Sequence, residues 1–110
     1  MISVDEKAMS INKAWLGSKR KSKEYRVYEV NVSQKLPDLE IPEGKLLLKL
    51  NVYYSNSRAD IDNCLKPFID ILQAKYGFND CRIYRLDVEK FIVPKGEEHV
   101  EFMIEEYDEQ

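Results

Sequence analysis

Arg58-Ala59-Asp60-Ile61-Asp62-Asn63-Cys64-Leu65-Lys66 places two carboxylates, an amide and an amine within nine residues, and Asn79-Asp80 adds a third carboxylate where the chain next turns. Such a set suits phosphodiester hydrolysis with a hard divalent cation. Carboxylates hold the metal, the metal offsets charge on phosphate oxygens, and an amine aids the attacking water or the leaving group. The simpler reading of the same residues is helix capping plus surface pairs such as Asp62–Lys66 and Lys66–Asp70. Capping, however, needs one side chain rather than two carboxylates with an adjacent Asn. An EF-hand is excluded, because Cys64 and Leu65 stand where an oxygen ligand and a glycine are required.

These residues need elements to position them. A helix is predicted over roughly Asp62 to Lys75, with Ile61, Leu65, Phe68, Ile69 and Leu72 as its apolar stripe. Pro67 requires that helix to begin only a few residues earlier, and Gly77 ends it. On this reading Asp60 and Asp62 converge at the helix start, with Lys66 one turn beyond Asp62. Asp80 lies a helix and a turn further on, so tertiary packing decides whether it joins them. Leu46 to Tyr54 alternates as a strand, Leu46, Leu48, Leu50 and Val52 on one face. Ser22 caps a helix through about Gln34 that presents Tyr25, Tyr28 and Val32, after a basic loop from Gly17 to Lys23. Arg82 to Val93 and Glu98 to Glu106 read as a C-terminal β-hairpin closed by Pro94-Lys95-Gly96. The sum is an α+β domain spanning residues 1–110, a small mixed sheet of three to four strands with two main helices.

Composition sets the wider limits. An apolar share of 44% in 110 residues supports one core. No apolar run reaches the length of a membrane span and residues 1–15 lack a secretory pattern, so a soluble, cytoplasmic protein is expected. Cys64 and Cys81 are expected as small core residues, and a lone His99 makes no zinc site. The net charge of −3 hides an asymmetry: residues 97–110 carry seven acidic and no basic side chains. The remaining 17 basic and 13 acidic side chains leave residues 1–96 at +4, with Lys19, Arg20, Lys21, Lys23 and Arg26 as the densest group. Lys19, Arg20, Lys21, Lys23 and Arg58 are therefore the candidate phosphate contacts. Tyr53, Tyr54, Tyr76, Tyr84 and Trp15 are expected to pack, His99 to be exposed, and the acidic tail to be solvated.

The segments Asp60-Ile-Asp62-Asn63-x-x-Lys66-x-x-x-Asp70-x-Leu72 and Gly77-x-Asn79-Asp80-x-x-Ile83, with Lys90 ten residues after Asp80, resemble the RusA family of Holliday junction resolvases. Asn79 stands where that family has an acidic residue, and its arginine run before the first aspartate is reduced to Arg58. The resemblance implies that Asp60, Asp62 and Asp80 bind Mg²⁺, with Mn²⁺ as the alternative metal, and that Lys66 is catalytic. Asn63, Asp70 and Lys90 would be supporting residues, Lys90 near the metal or the scissile phosphate. It further implies paired symmetric nicks in four-way junctions and a homodimer whose two-fold axis supplies two equivalent sites. Two other readings are a non-catalytic DNA-binding protein of the same fold, and a metal-dependent nuclease for another branched DNA or RNA.

Overall fold

The computed structural model describes residues 1–16 and 20–108. Its elements are β1 (Ile2–Val4), α1 (Ile11–Ala14), β2 (Trp15–Leu16), β3 (Arg20–Lys21), α2 (Lys23–Lys35), β4 (Leu46–Tyr54), α3 (Leu65–Tyr76), a 3₁₀ turn (Asp80–Arg82), β5 (Ile83–Ile92) and β6 (His99–Glu106). The main sheet is mixed, in the order β1-β6-β4-β5, and β2 and β3 form a separate two-stranded ribbon. No helix among the described residues is long and apolar enough to cross a membrane.

The alternation of β4 decides the layering. Leu46, Leu48, Leu50 and Val52 are buried, and so are Val100 and Phe102 of β6. Tyr25, Tyr28 and Val32 of α2 and Phe68, Ile71 and Leu72 of α3 join them in one core. The predicted cap of α2 is present, with the Ser22 hydroxyl accepting from the Tyr25 N–H at 3.0 Å. Trp15 packs edge-on against Tyr25 at a ring separation of 5.8 Å.

The two C-terminal strands run in opposite directions across a short turn, a hairpin-like arrangement, but they do not pair with each other. β4 lies between them, antiparallel to β6 and parallel to β5. The most apolar strand takes the centre, where both of its edges are satisfied and its leucines are covered. Parallel pairing of β4 with β5 needs a long crossover, and α3 supplies it. α3 begins at Leu65 rather than Asp62, because residues 61–64 form a turn, which leaves Ile61 41% exposed instead of on the core stripe. Pro67 thus falls in the first helical turn, where a missing N–H costs nothing. Cys64 is buried as expected, but Cys81 is exposed, because it sits on the surface 3₁₀ turn. His99 is half-buried rather than exposed, its ring stacked on Tyr53 at 4.0 Å.

Candidate active site

The chain leaves β4 at Tyr54 and reaches Asp60 through a loop held mainly by its backbone. Lys90 on β5 is in register with Val52, on the helix-covered face of the sheet. Its ammonium reaches over the strand ends and donates to the carbonyls of Ser57 and Ala59, both at 3.0 Å. Buried Glu98 holds the same loop lower down, accepting from the Ser55 hydroxyl at 2.9 Å and from the Gly96 N–H at 2.7 Å. Hydrogen bonds from its own backbone N–H and from Ser55 lower the Glu98 pKa to about 2. The Asn63 carbonyl accepts from the Ile11 N–H at 2.8 Å, and its amide donates to Asp60 Oδ2 at 3.1 Å. Asn63 thus ties the N-terminal segment to the turn and aims the first carboxylate. Asp62 is exposed and uses its backbone carbonyl to accept from the Leu65 N–H at 3.2 Å. Both aspartates stand at the start of α3, where the helix dipole favours negative charge.

A second chain of contacts runs along α3. Lys66 pairs with Asp70 at 3.0 Å, and the Gln73 amide donates to the same carboxylate oxygen at 3.2 Å. Gln73 also accepts from the Asp80 N–H at 2.7 Å. Gly77, at a φ of +71°, closes the helix with its N–H on the Gln73 carbonyl. Asn79 caps the 3₁₀ turn through the Cys81 N–H at 2.9 Å. Asp80 is therefore fixed by its backbone beside the last turn of α3, and its carboxylate is exposed.

That position bears directly on the expected three-carboxylate cluster. The 12 residues of α3 make a rod about 18 Å long. Asp60 and Asp62 are at its beginning and Asp80 is past its end. Among the described residues no three His, Cys, Asp or Glu side chains lie close enough to hold one metal ion. Asp60 and Asp62 both lie exposed near the start of α3, and Asp80 does not complete a three-carboxylate group with them within one chain. The donors at the N-terminal end nonetheless fit a hard cation in kind: exposed carboxylate oxygens, one of them oriented by an amide, with the nearby Cys64 thiol buried and pushed up in pKa by that burial.

The basic residues are divided. Lys21 is occupied by Glu29 at 2.9 Å and lies over the Tyr25 ring. Arg20 and Lys23 are exposed near the start of α2. Arg58 is exposed beside Asp60, and Lys19 lies outside the described residues. The resemblance put Lys90 near the metal or the scissile phosphate; its ammonium donates to the loop that carries Asp60. Sequence reasoning missed Gln73, Glu98 and the Asn63–Ile11 link. Gln73 is three residues from Asp70 on the polar side of α3, a spacing that was readable; Glu98 left no comparable trace.

A protein-family model described as endodeoxyribonuclease RusA matches residues 7–105, nearly the whole chain. No curated protein matches it. The chain belongs to the RusA endodeoxyribonuclease family, and its activity is accordingly that of an endodeoxyribonuclease.

Proposed function

We propose that this family member is a Mg²⁺-dependent, structure-selective nuclease that resolves four-way DNA junctions by paired symmetric nicks, acting as a homodimer. The observation that carries the reading is the pair Asp60 and Asp62 at the start of α3, exposed, with Asp60 aimed by Asn63 and its loop pinned by Lys90. Asp60 and Asp62 would hold Mg²⁺ or Mn²⁺, together with Asp80. Bound there, the ion supplies charge neutralisation at the phosphate and a water of lowered pKa. Lys66, held by Asp70 one turn into α3, offers its ammonium to the phosphate or the leaving oxygen. Asn63 and Lys90 are positioning residues, since both act through Asp60 and its loop.

Two features support the dimer. The first is Asp80, stationed at the wrong end of α3 for its own chain's carboxylates. The second is β5, whose outer edge has no strand beside it among the described residues and whose Tyr84, Leu86 and Ile92 are 58%, 40% and 51% exposed. Unpaired, apolar strand edges tend to find a partner strand. Antiparallel pairing of β5 with that of a second copy would oppose the Ile83 end of one strand to the Ile92 end of the other. Asp80 of the partner subunit would then arrive where Lys90 holds the Asp60 loop. A dimer also doubles the basic surface of residues 1–96, so junction affinity falls steeply with added salt.

The test is cleavage of a synthetic immobile four-way junction, mapped on all four strands with and without Mg²⁺. Religatable nicks at symmetric positions in opposing strands are expected. Equal cutting of flaps, RNA or linear duplex would reassign the substrate. Tight junction binding with no metal-dependent nicking would favour the non-catalytic reading, which the separation of Asp80 within one chain also motivates.

A further inference from the structure

A cleft of about 620 Å³ opens beside Asp60, bounded by the segment from Glu6 to Ser10, by α2 and by the loop after β4. The exposed surface of its wall is chiefly apolar, with Ala8, Met9, Val27, Tyr28 and Tyr54 among the lining residues, and Asp60 and Asn63 also border it. Val27 is 50% exposed although it faces this concave surface, so an apolar wall is left uncovered. Asn31 contributes an amide with no partner among the described residues. The Tyr28 hydroxyl is buried without a hydrogen-bond partner among the described residues; burial raises its pKa and the Met9 backbone opposes that rise. An orphaned buried hydroxyl is a costly arrangement. The charged rim is uneven. Lys7 is paired with Glu98 and Glu6 with Lys35, whereas Lys13, Arg58 and the acidic Glu24 have no ion-pair partner among the described residues.

We infer that this cleft receives an unstacked nucleobase from the strand being cut, an inference that rests on the junction-nuclease reading above. A phosphate has no use for Ala8, Met9 and Val27, but an aromatic base does, and its polar edge would meet Asn31. The size is that of clefts that hold a small organic molecule, so a base fits with its sugar. Arg58 and Lys13 are placed to hold the phosphates on either side. A base can enter only by leaving its stack, and it does so most cheaply where pairing is already interrupted, as at a branch point. The cleft adjoins Asp60, so the extruded base belongs to a nucleotide next to the scissile phosphate. Recognition there would add a preference for base identity to recognition of junction shape.

The experiment crosses base removal with cleft alteration. Immobile junctions carrying an abasic site at each nucleoside around the scissile bond in turn are cut under single-turnover conditions. At one position the wild-type chain should slow by about tenfold, the loss expected for one stacked and bonded base. Val27→Trp, which fills the cleft from an exposed position, and Asn31→Ala should cut the intact junction at that slower rate and ignore base removal there. The same cycle is run on junction affinity without divalent ions. Sensitivity to no abasic position, or undiminished sensitivity in both variants, would overturn the inference. So would a change of oligomeric state in Val27→Trp without any base effect, which would assign the cleft to a second copy. Should the wild-type chain cut no four-way junction, the functional reading fails, while the affinity cycle still decides the cleft. Asn31→Ala carries the test if Val27→Trp does not fold.

Discussion

The two ends of α3 use the same residue type under opposite conditions. At the N-terminal end no side chain caps the helix, and Asp60 and Asp62 stand in its favourable field, with the Asp60 carboxylate held by Asn63. At the C-terminal end a left-handed glycine closes the helix, and Asp80 is held through its backbone, its N–H donating to Gln73 and its carbonyl accepting from the Ile83 N–H. Each end is stiffened by groups other than the aspartates: Lys90 and Asn63 at one, Gln73 and Asn79 at the other. Rigid support with exposed carboxylates is what a site needs when its ligands must meet a metal and a substrate from outside. Among the described residues neither end gathers three acidic side chains, and a helix cannot shorten to bring them together. The comparison teaches that the motif is complete in sequence but divided in the fold.

The sharpest way to break that comparison is to damage the two ends in separate chains. Asp62→Asn should lower junction cleavage about a thousandfold, several kcal/mol of transition-state stabilisation, while binding stays within a few-fold. Asp80→Asn should do the same. Mixing the two inactive proteins should restore nicking, because a heterodimer built as proposed retains one site with all three aspartates. No recovery after subunit exchange would show that Asp80 does not act in the partner's site. Lys66→Ala comes next, with a loss of about a hundredfold in single-turnover rate and little change in affinity.

Lys90→Ala should cost about tenfold in rate and raise the Mg²⁺ concentration needed for half-maximal cleavage, because it loosens the loop rather than removing a ligand. An unchanged Mg²⁺ dependence would show that its two backbone contacts do not position Asp60. At the other end, Gly77→Ala should lower stability by about 1 kcal/mol in urea titration; a Cβ there meets no atom, so the cost is the left-handed backbone alone. The smallest effect concerns Glu98, below the Asp60 loop. Its pKa is about 2 in the fold against an ordinary value of 4.5. The ionised form is therefore the one the fold stabilises, fully so above pH 4.5, and that contribution disappears as pH falls toward 2. Glu98→Gln should flatten the acid limb of the stability curve in that window, read by circular dichroism.

Much of this arrangement could be read locally. The cap at Ser22, the stripe of Tyr25, Tyr28 and Val32, the alternation from Leu46 to Val52 and the stop at Gly77 each depend on neighbours a few residues away, and each is present. The strand partners were not local. Pro94-Lys95-Gly96 is a reasonable turn, and nothing near it reveals that β4 will occupy the place between β5 and β6. Burial of four β4 side chains decides that, through the whole core. The reach of Lys90 to Ser57 and Ala59 follows only once β5 is in parallel register with β4.

The amino-acid order alone determined which residue types are available: two carboxylates and an amide before a helix, an amine on its first turn, and a third carboxylate after it. Periodicity and capping chemistry settled that helix within three residues of its start, because hydrogen bonds and apolar faces repeat over a few positions. Which carboxylates can meet was a matter for the tertiary structure alone. α3 is a rod of set length, so its two ends stay apart in every folded chain.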